Sequence, residues 1–112
     1  MIFHQPVPEL PVPNVAAAMA HYCECLGFKI AWHREADGIG AVAHGDCAIF
    51  FRESTEANPA TFWVYADDVD AAHSYLSSLG ATITEPPEDK PWGLRQFTVT
   101  DLNGNRLIFH HD

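Results

Sequence analysis

One stretch of this chain occurs twice. Asn14-Val-Ala-Ala-Ala-Met-Ala-His-Tyr-Cys-Glu-Cys-Leu26-Gly27-Phe-Lys-Ile30 returns as Asp68-Val-Asp-Ala-Ala-His-Ser-Tyr-Leu-Ser-Ser-Leu79-Gly80-Ala-Thr-Ile83. Val15, Ala17 and Ala18 align with Val69, Ala71 and Ala72; after a one-residue gap, Tyr22, Leu26, Gly27 and Ile30 align with Tyr75, Leu79, Gly80 and Ile83. A repeat of this kind means that one supersecondary unit is built twice and that neither copy buries its apolar face alone.

Each copy reads as a helix with legible ends. Asn14 and Asp68 are residues that accept the free amide hydrogen bonds of a first turn, and Gly27 and Gly80 are suited to the left-handed conformation that ends a helix. Val15, Met19, Tyr22 and Leu26 fall on one stripe, as do Val69, Ala72, Leu76 and Leu79, so each helix is expected to lie on a sheet. Short extended segments surround them: Pro8 to Val12, Lys29 to Arg34, Gly40 to Ala43 and Ala48 to Phe51 in the first half. Thr61 to Ala66, Thr82 to Glu85, Gln96 to Thr100 and Leu107 to His110 repeat that order in the second. The expected fold is α+β, two βαβββ modules at about 1–53 and 60–112, joined by a linker at about 54–59. Glu85 to Gly93, with Pro86, Pro87 and Pro91, reads as a long loop, and Asp101 to Asn105 as the tight turn of a closing hairpin.

A chain of 112 residues holds one core, so the two modules are expected to form a single domain spanning 1–112. Its formal charge of −9 argues against a nucleic-acid partner, which needs clustered Lys and Arg. No apolar run reaches membrane-span length and the first residues lack the pattern of a signal peptide, so no membrane partner and a cytoplasmic setting are expected. Cys23, Cys25 and Cys47 are read as reduced thiols, and their spacing is a poor match to a zinc site.

The helix end Tyr22-Cys-Glu-Cys-Leu26-Gly27-Phe28, the matching Asp67-Asp-Val69-Asp and Leu79-Gly80-Ala81, and the terminal Pro91-Trp-Gly93-Leu-Arg95-Gln-Phe97-Thr-Val-Thr-Asp101-Leu-Asn-Gly104-Asn105 come in an order that spans nearly the whole chain. In these words the chain resembles the glyoxalase, bleomycin-resistance and extradiol-dioxygenase superfamily, or vicinal oxygen chelate fold, and within it the bleomycin-resistance proteins. Leu102 departs from the Pro usual after the Asp of the closing turn. The resemblance implies open, curled sheets around a cavity and a small homodimer. It also implies, for the enzymes of the superfamily, a divalent metal held by His or Glu on particular strands. Those positions fall here on Val7, on Ile49 or Phe50, on Thr61 and on Ile108, none of them a ligand of the usual kind. No metal, no cofactor and no catalytic residue are therefore expected.

Strand alternation places Thr61, Trp63 and Tyr65 on one face, likewise Val7 with Glu9, and Ile108 with His110. Trp63 is the leading candidate for stacking on a ligand; Tyr65, Trp32, Trp92, Glu9, Arg95 and His110 complete the candidate ligand-binding set. For Arg95 a structural role, holding Asp101 or Glu85, is the favoured reading over binding a ligand anion. The resulting expectation is a metal-free protein that sequesters a small aromatic or cationic compound, an antibiotic of the bleomycin class being the example that the resemblance supplies. Two alternatives are a lyase, isomerase or dioxygenase with a displaced metal site built on His110 and Glu9, and a small-molecule sensor or accessory protein.

Overall fold

The computed structural model describes residues 1–112. The first module runs β1 (Glu9–Val12), α1 (Val15–Cys25), β2 (Lys29–Arg34), a 3-10 turn (Glu35–Asp37), β3 (Ile39–His44) and β4 (Cys47–Glu53). The second runs β5 (Thr61–Tyr65), α2 (Val69–Ser78), β6 (Thr82–Asp89), β7 (Arg95–Thr100) and β8 (Arg106–His111). Both helices begin as their sequences dictate. Asn14 Oδ1 accepts the Ala17 N–H at 2.9 Å and Asp68 Oδ1 that of Ala71 at 3.0 Å, each satisfying a first-turn amide. Beyond their ends Gly27 and Gly80 take φ of 74° and 86°.

The two sheets have one topology. Their strand orders are β1-β4-β3-β2 and β5-β8-β7-β6, with the first pair of each parallel and the rest antiparallel. Alternation then sorts the side chains. Leu10, Val12, Val42, Ile49 and Phe51 are buried on the α1 side of the first sheet, and Phe97, Val99, Leu107 and Phe109 on the α2 side of the second. In the latter, Phe97 and Phe109 stack at 5.1 Å and His73 of α2 meets Phe97 edge-on at 5.3 Å.

One expectation is corrected. Pro86 and Pro87, read as part of a loop, lie inside β6, which runs to Asp89 along β7. β6 is an edge strand, so two residues without an N–H break no ladder on the solvent side, and the register slips between Glu85 and Glu88 to absorb them.

The modules share one core, in which α1 and α2 residues pack with those of both sheets. Two contacts fix their relation, and a third seats α1 within the first module. Gly40 lets α1 settle on β3, since a Cβ there would collide with Met19 Sδ and reach Val15 Cγ1 at 3.0 Å. Gly27 lies against Tyr75 of α2, whose ring comes within 2.7 Å of where a Cβ would stand. Tyr22 of α1 reaches across to the closing turn, its Oη donating to Asp101 Oδ2 at 2.6 Å. Asp101 also accepts from the backbone of Asn103 and Asn105 and from Asn105 Nδ2, while Asn105 Oδ1 accepts the Ala60 N–H. With the turn held at this many points, Leu102 stands exposed where a Pro is usual and the register of β8 is unchanged.

Candidate functional site

The faces turned away from the helices carry the remaining aromatic residues. On the first sheet, Trp32 pairs with Ala41 and Ala41 with Phe50, so the two rings share a face and meet edge-on at 5.1 Å. Glu9 pairs in register with Phe50, which puts it on the same face, where Glu9 Oε1 takes Arg52 Nη2 at 2.9 Å. That hydrogen bond, with the carboxylate charge, raises the Arg52 pKa above its ordinary range.

On the second sheet, Trp63 is in register with Ile108 and Tyr65 with His110. The imidazole of His110 is flanked by two rings, Trp63 at 5.5 Å and Tyr65 at 5.8 Å, both edge-on. Its Nδ1 is buried without a hydrogen-bond partner. Gln96 pairs with His110 from β7 and its Oε1 accepts from Trp92 Nε1 at 3.0 Å, which leads the β6–β7 loop onto the same face. Lys90 Nζ stands 5.8 Å from the Trp92 ring. Nothing in the chain covers this row: Trp63, Tyr65 and Trp92 are 50%, 58% and 61% exposed. A groove of about 560 Å³ opens beside it, between Trp63 and Tyr65 on one side and Pro6, Pro8 and Ala48 on the other.

The expected site residues thus fall into two groups. Trp63, Tyr65, His110 and Trp92 are brought together on the second sheet, whereas Trp32 and Glu9 belong to the first, and no ring contact joins the groups within one chain. Arg95 is in neither. Its register beside Phe97 turns it to the α2 side, where it binds Asp70 at 2.9 Å and Asp89 at 3.3 Å instead of Asp101 or Glu85, its two expected partners. Glu85 is held by Arg106 at 3.2 Å. A displaced metal site on His110 and Glu9 does not assemble either, because the imidazole lies between two rings on one sheet and the carboxylate holds Arg52 on the other. Two contributors were missed, Phe50 and Gln96. Both lie one residue from buried aromatic residues, Phe51 and Phe97, so strand alternation was the signal that placed them.

The metal positions of the superfamily's enzymes do not fit a metal in this chain. Register resolves the ambiguous one, since Ile49 is wholly buried on the α1 side and Phe50 faces Trp32. Thr61 lies opposite Arg106, Ile108 opposite Trp63, and no three His, Cys, Asp or Glu side chains cluster anywhere. A divalent ion here would meet hydrocarbon, one hydroxyl and a guanidinium.

Two repeated modules with an aromatic row on each sheet define a class of small protein with a ligand-sized recess and no cluster of three His, Cys, Asp or Glu side chains. The chain belongs to the Glyoxalase/Bleomycin resistance protein/Dioxygenase superfamily, which it matches over residues 4–109. It is 23% identical to the bleomycin resistance protein of Geobacillus stearothermophilus, over 94% of each chain. Its fold is that of a bleomycin resistance determinant encoded on transposon Tn5, with a TM-score of 0.85, 23% identity and 98% of each chain covered. It is also that of the bleomycin-binding protein from Streptomyces verticillus in complex with copper(II)-bleomycin, with a TM-score of 0.81, 24% identity, and 97% of this chain and 96% of that one covered. No helix is long and apolar enough to cross a membrane.

Proposed function

We propose that this protein is a binding protein of the bleomycin-resistance type, which holds a planar aromatic or cationic compound without transforming it. The observation that carries the reading is the exposed row Trp63–His110–Tyr65, with Trp92 tied to it through Gln96. Such a row gives a flat ligand one wall and an edge-on ring geometry, each aromatic pair contributing about 0.5–1.5 kcal/mol beyond area burial. A second wall is available in the Trp32–Phe50 face, with Trp32 38% exposed. A two-fold homodimer that lays the Trp32 face of one copy over the Trp63 face of the other closes two equivalent clefts and covers both apolar faces. The excess of fifteen acidic over six basic residues favours a cationic ligand. Its three free cysteines suit a cytoplasmic setting. The bleomycin resistance relatives supply the first compound to test.

The test is a titration of tryptophan fluorescence with metal-free bleomycin, repeated on Trp63→Ala. Saturable quenching that weakens by at least about tenfold in the variant, the equivalent of losing one good stacking contact, supports the reading. An unchanged affinity in Trp63→Ala removes that face from the site. Absence of a saturable response to bleomycin and to other planar aromatic cations rejects the binding function itself.

A further inference from the structure

A second recess lies between the modules, on the helix side of the sheets. It encloses about 520 Å³, within the range of small-molecule sites, between the end of α1, the β3–β4 turn and the side of α2 that carries Ala71, Ala72, Tyr75 and Leu76. Phe28, Val64, Tyr75 and Phe109 supply apolar and aromatic walls, and Asp46 and Asp67 stand among the lining residues. Neither carboxylate has an ion-pair partner, although the chain's basic residues are largely engaged: Arg34 with Asp37, Arg52 with Glu9, Lys90 with Glu88, Arg95 with Asp70 and Asp89, Arg106 with Glu85. No Lys or Arg lines the recess. His44, its one basic-type side chain, is turned by a 2.9 Å bond from Nδ1 to the Gly27 carbonyl, so that nitrogen carries the proton as donor. Asp68 is occupied as the helix cap, which leaves Asp46 and Asp67 as the uncompensated charges.

We propose that this recess is a second binding site, for an organic cation with an aromatic or bulky apolar body. The apolar part would lie against Phe28, Val64 and Phe109, and the onium or ammonium group would face Asp46, Asp67 and the ring of Tyr75. Carboxylates at the mouth of an apolar recess concentrate the field on a cation, and ring faces add to it. The recess adjoins the groove beside the aromatic row: Asp46, Cys47, Val64 and Tyr65 line both, whereas Phe28, Asp67, Tyr75 and Phe109 line the recess alone.

Benzyltrimethylammonium is the probe, followed by ¹H–¹⁵N chemical shifts. The expected result is saturable movement of the Ala71, Ala72 and Leu76 amides. The neutral carbon isostere neopentylbenzene should bind about tenfold or more weakly, and Asp46→Asn with Asp67→Asn should weaken the probe about fivefold or more, in the manner of a largely electrostatic contact. In Asp67→Asn alone, which borders the recess and not the groove beside Trp63, bleomycin quenching should be unchanged, and in Trp63→Ala the probe should still bind, so the two sites fail or succeed separately. Equal binding of the neutral isostere overturns the proposal without recourse to any variant. Movement confined to the Trp32 and Trp63 indoles overturns it as well, as do shifts that follow protein concentration instead of probe, which would make the recess a contact between copies of the chain.

Discussion

The bond from Tyr22 to Asp101 joins the first module's helix to the turn that sets β8, and hence Ile108 and His110, so its removal is the most informative change to the scaffold. Tyr22→Phe keeps the ring, which packs on Phe28 at 5.4 Å and Phe51 at 5.0 Å, and deletes only the donor of a 2.6 Å bond to a carboxylate that is 7% exposed. Hydrogen bonds to charged groups are worth roughly 1.5–3 kcal/mol. Asp101 retains donors from Asn103 N–H, Asn105 N–H and Asn105 Nδ2, so the loss should sit at the low end, about 1.5–2 kcal/mol. At about 4 °C per kcal/mol for a domain of this size, Tm should drop by roughly 6–8 °C. The same bond has a pH signature. Burial first, and the Asp101 charge second, raise the Tyr22 pKa far above its ordinary value. The folded chain therefore keeps a proton that the unfolded chain releases above about pH 10, and the Tyr22 contribution, complete below that pH, declines by about 1.4 kcal/mol per pH unit above it. Urea unfolding of wild type and Tyr22→Phe at pH 7, 10 and 11 tests this. The difference between them should hold from pH 7 to near pH 10 and largely vanish near pH 11. Equal stability at pH 7, or a gap of the same size at pH 11, refutes the reasoning.

Other perturbations probe the close approaches and ends of the elements. Gly40→Ala should destabilise by about 1–3 kcal/mol through collision with Met19 and Val15, read as a lower urea midpoint at constant slope; an unchanged midpoint would contradict the packing of α1 on β3. Asn14→Ala and Asp68→Ala should each cost about 1 kcal/mol, and their double variant the sum, because the caps serve different helices. Burial raises the Cys47 thiol pKa, so Cys47 should react with iodoacetamide at pH 7.5 more slowly than free cysteine. Equal rates, followed by mass spectrometry of the peptide, would show that the thiol is not shielded as placed.

Much of this architecture is legible in the amino-acid sequence, and for physical reasons. Asn14, Asp68, Gly27 and Gly80 carry local signals whose meaning depends on the backbone alone, and the repeat makes each module a check on the other. Alternation along β5 and β8 placed Trp63, Tyr65 and His110 on one face correctly. What was less legible depends on partners distant in sequence. Pro86 and Pro87 read as a loop because prolines exclude a central strand, and only the strand order shows that β6 is an edge. Arg95 has the structural role favoured for it, but with other partners than Asp101 or Glu85: its position beside Phe97 turns it towards Asp70 on α2, a partner set by how the helix packs. The separation of Trp32 and Glu9 from Trp63 follows from how the modules meet, through Tyr22, Asp101, Gly27 and Tyr75, and no residue pattern within either module encodes it.

That separation leads to the central claim, that a ligand is held between the Trp32 face of one copy and the Trp63 face of another. The direct measurement is complementation: Trp32→Ala and Trp63→Ala chains are mixed, allowed to exchange subunits, and titrated with bleomycin by calorimetry. Each variant alone should bind weakly at both clefts. A mixed dimer has one cleft with both residues intact and one with neither, so random exchange should restore wild-type affinity to about a quarter of the clefts. The account predicts that quarter. A mixture that binds no better than its components, or either variant binding alone as tightly as wild type, would contradict it.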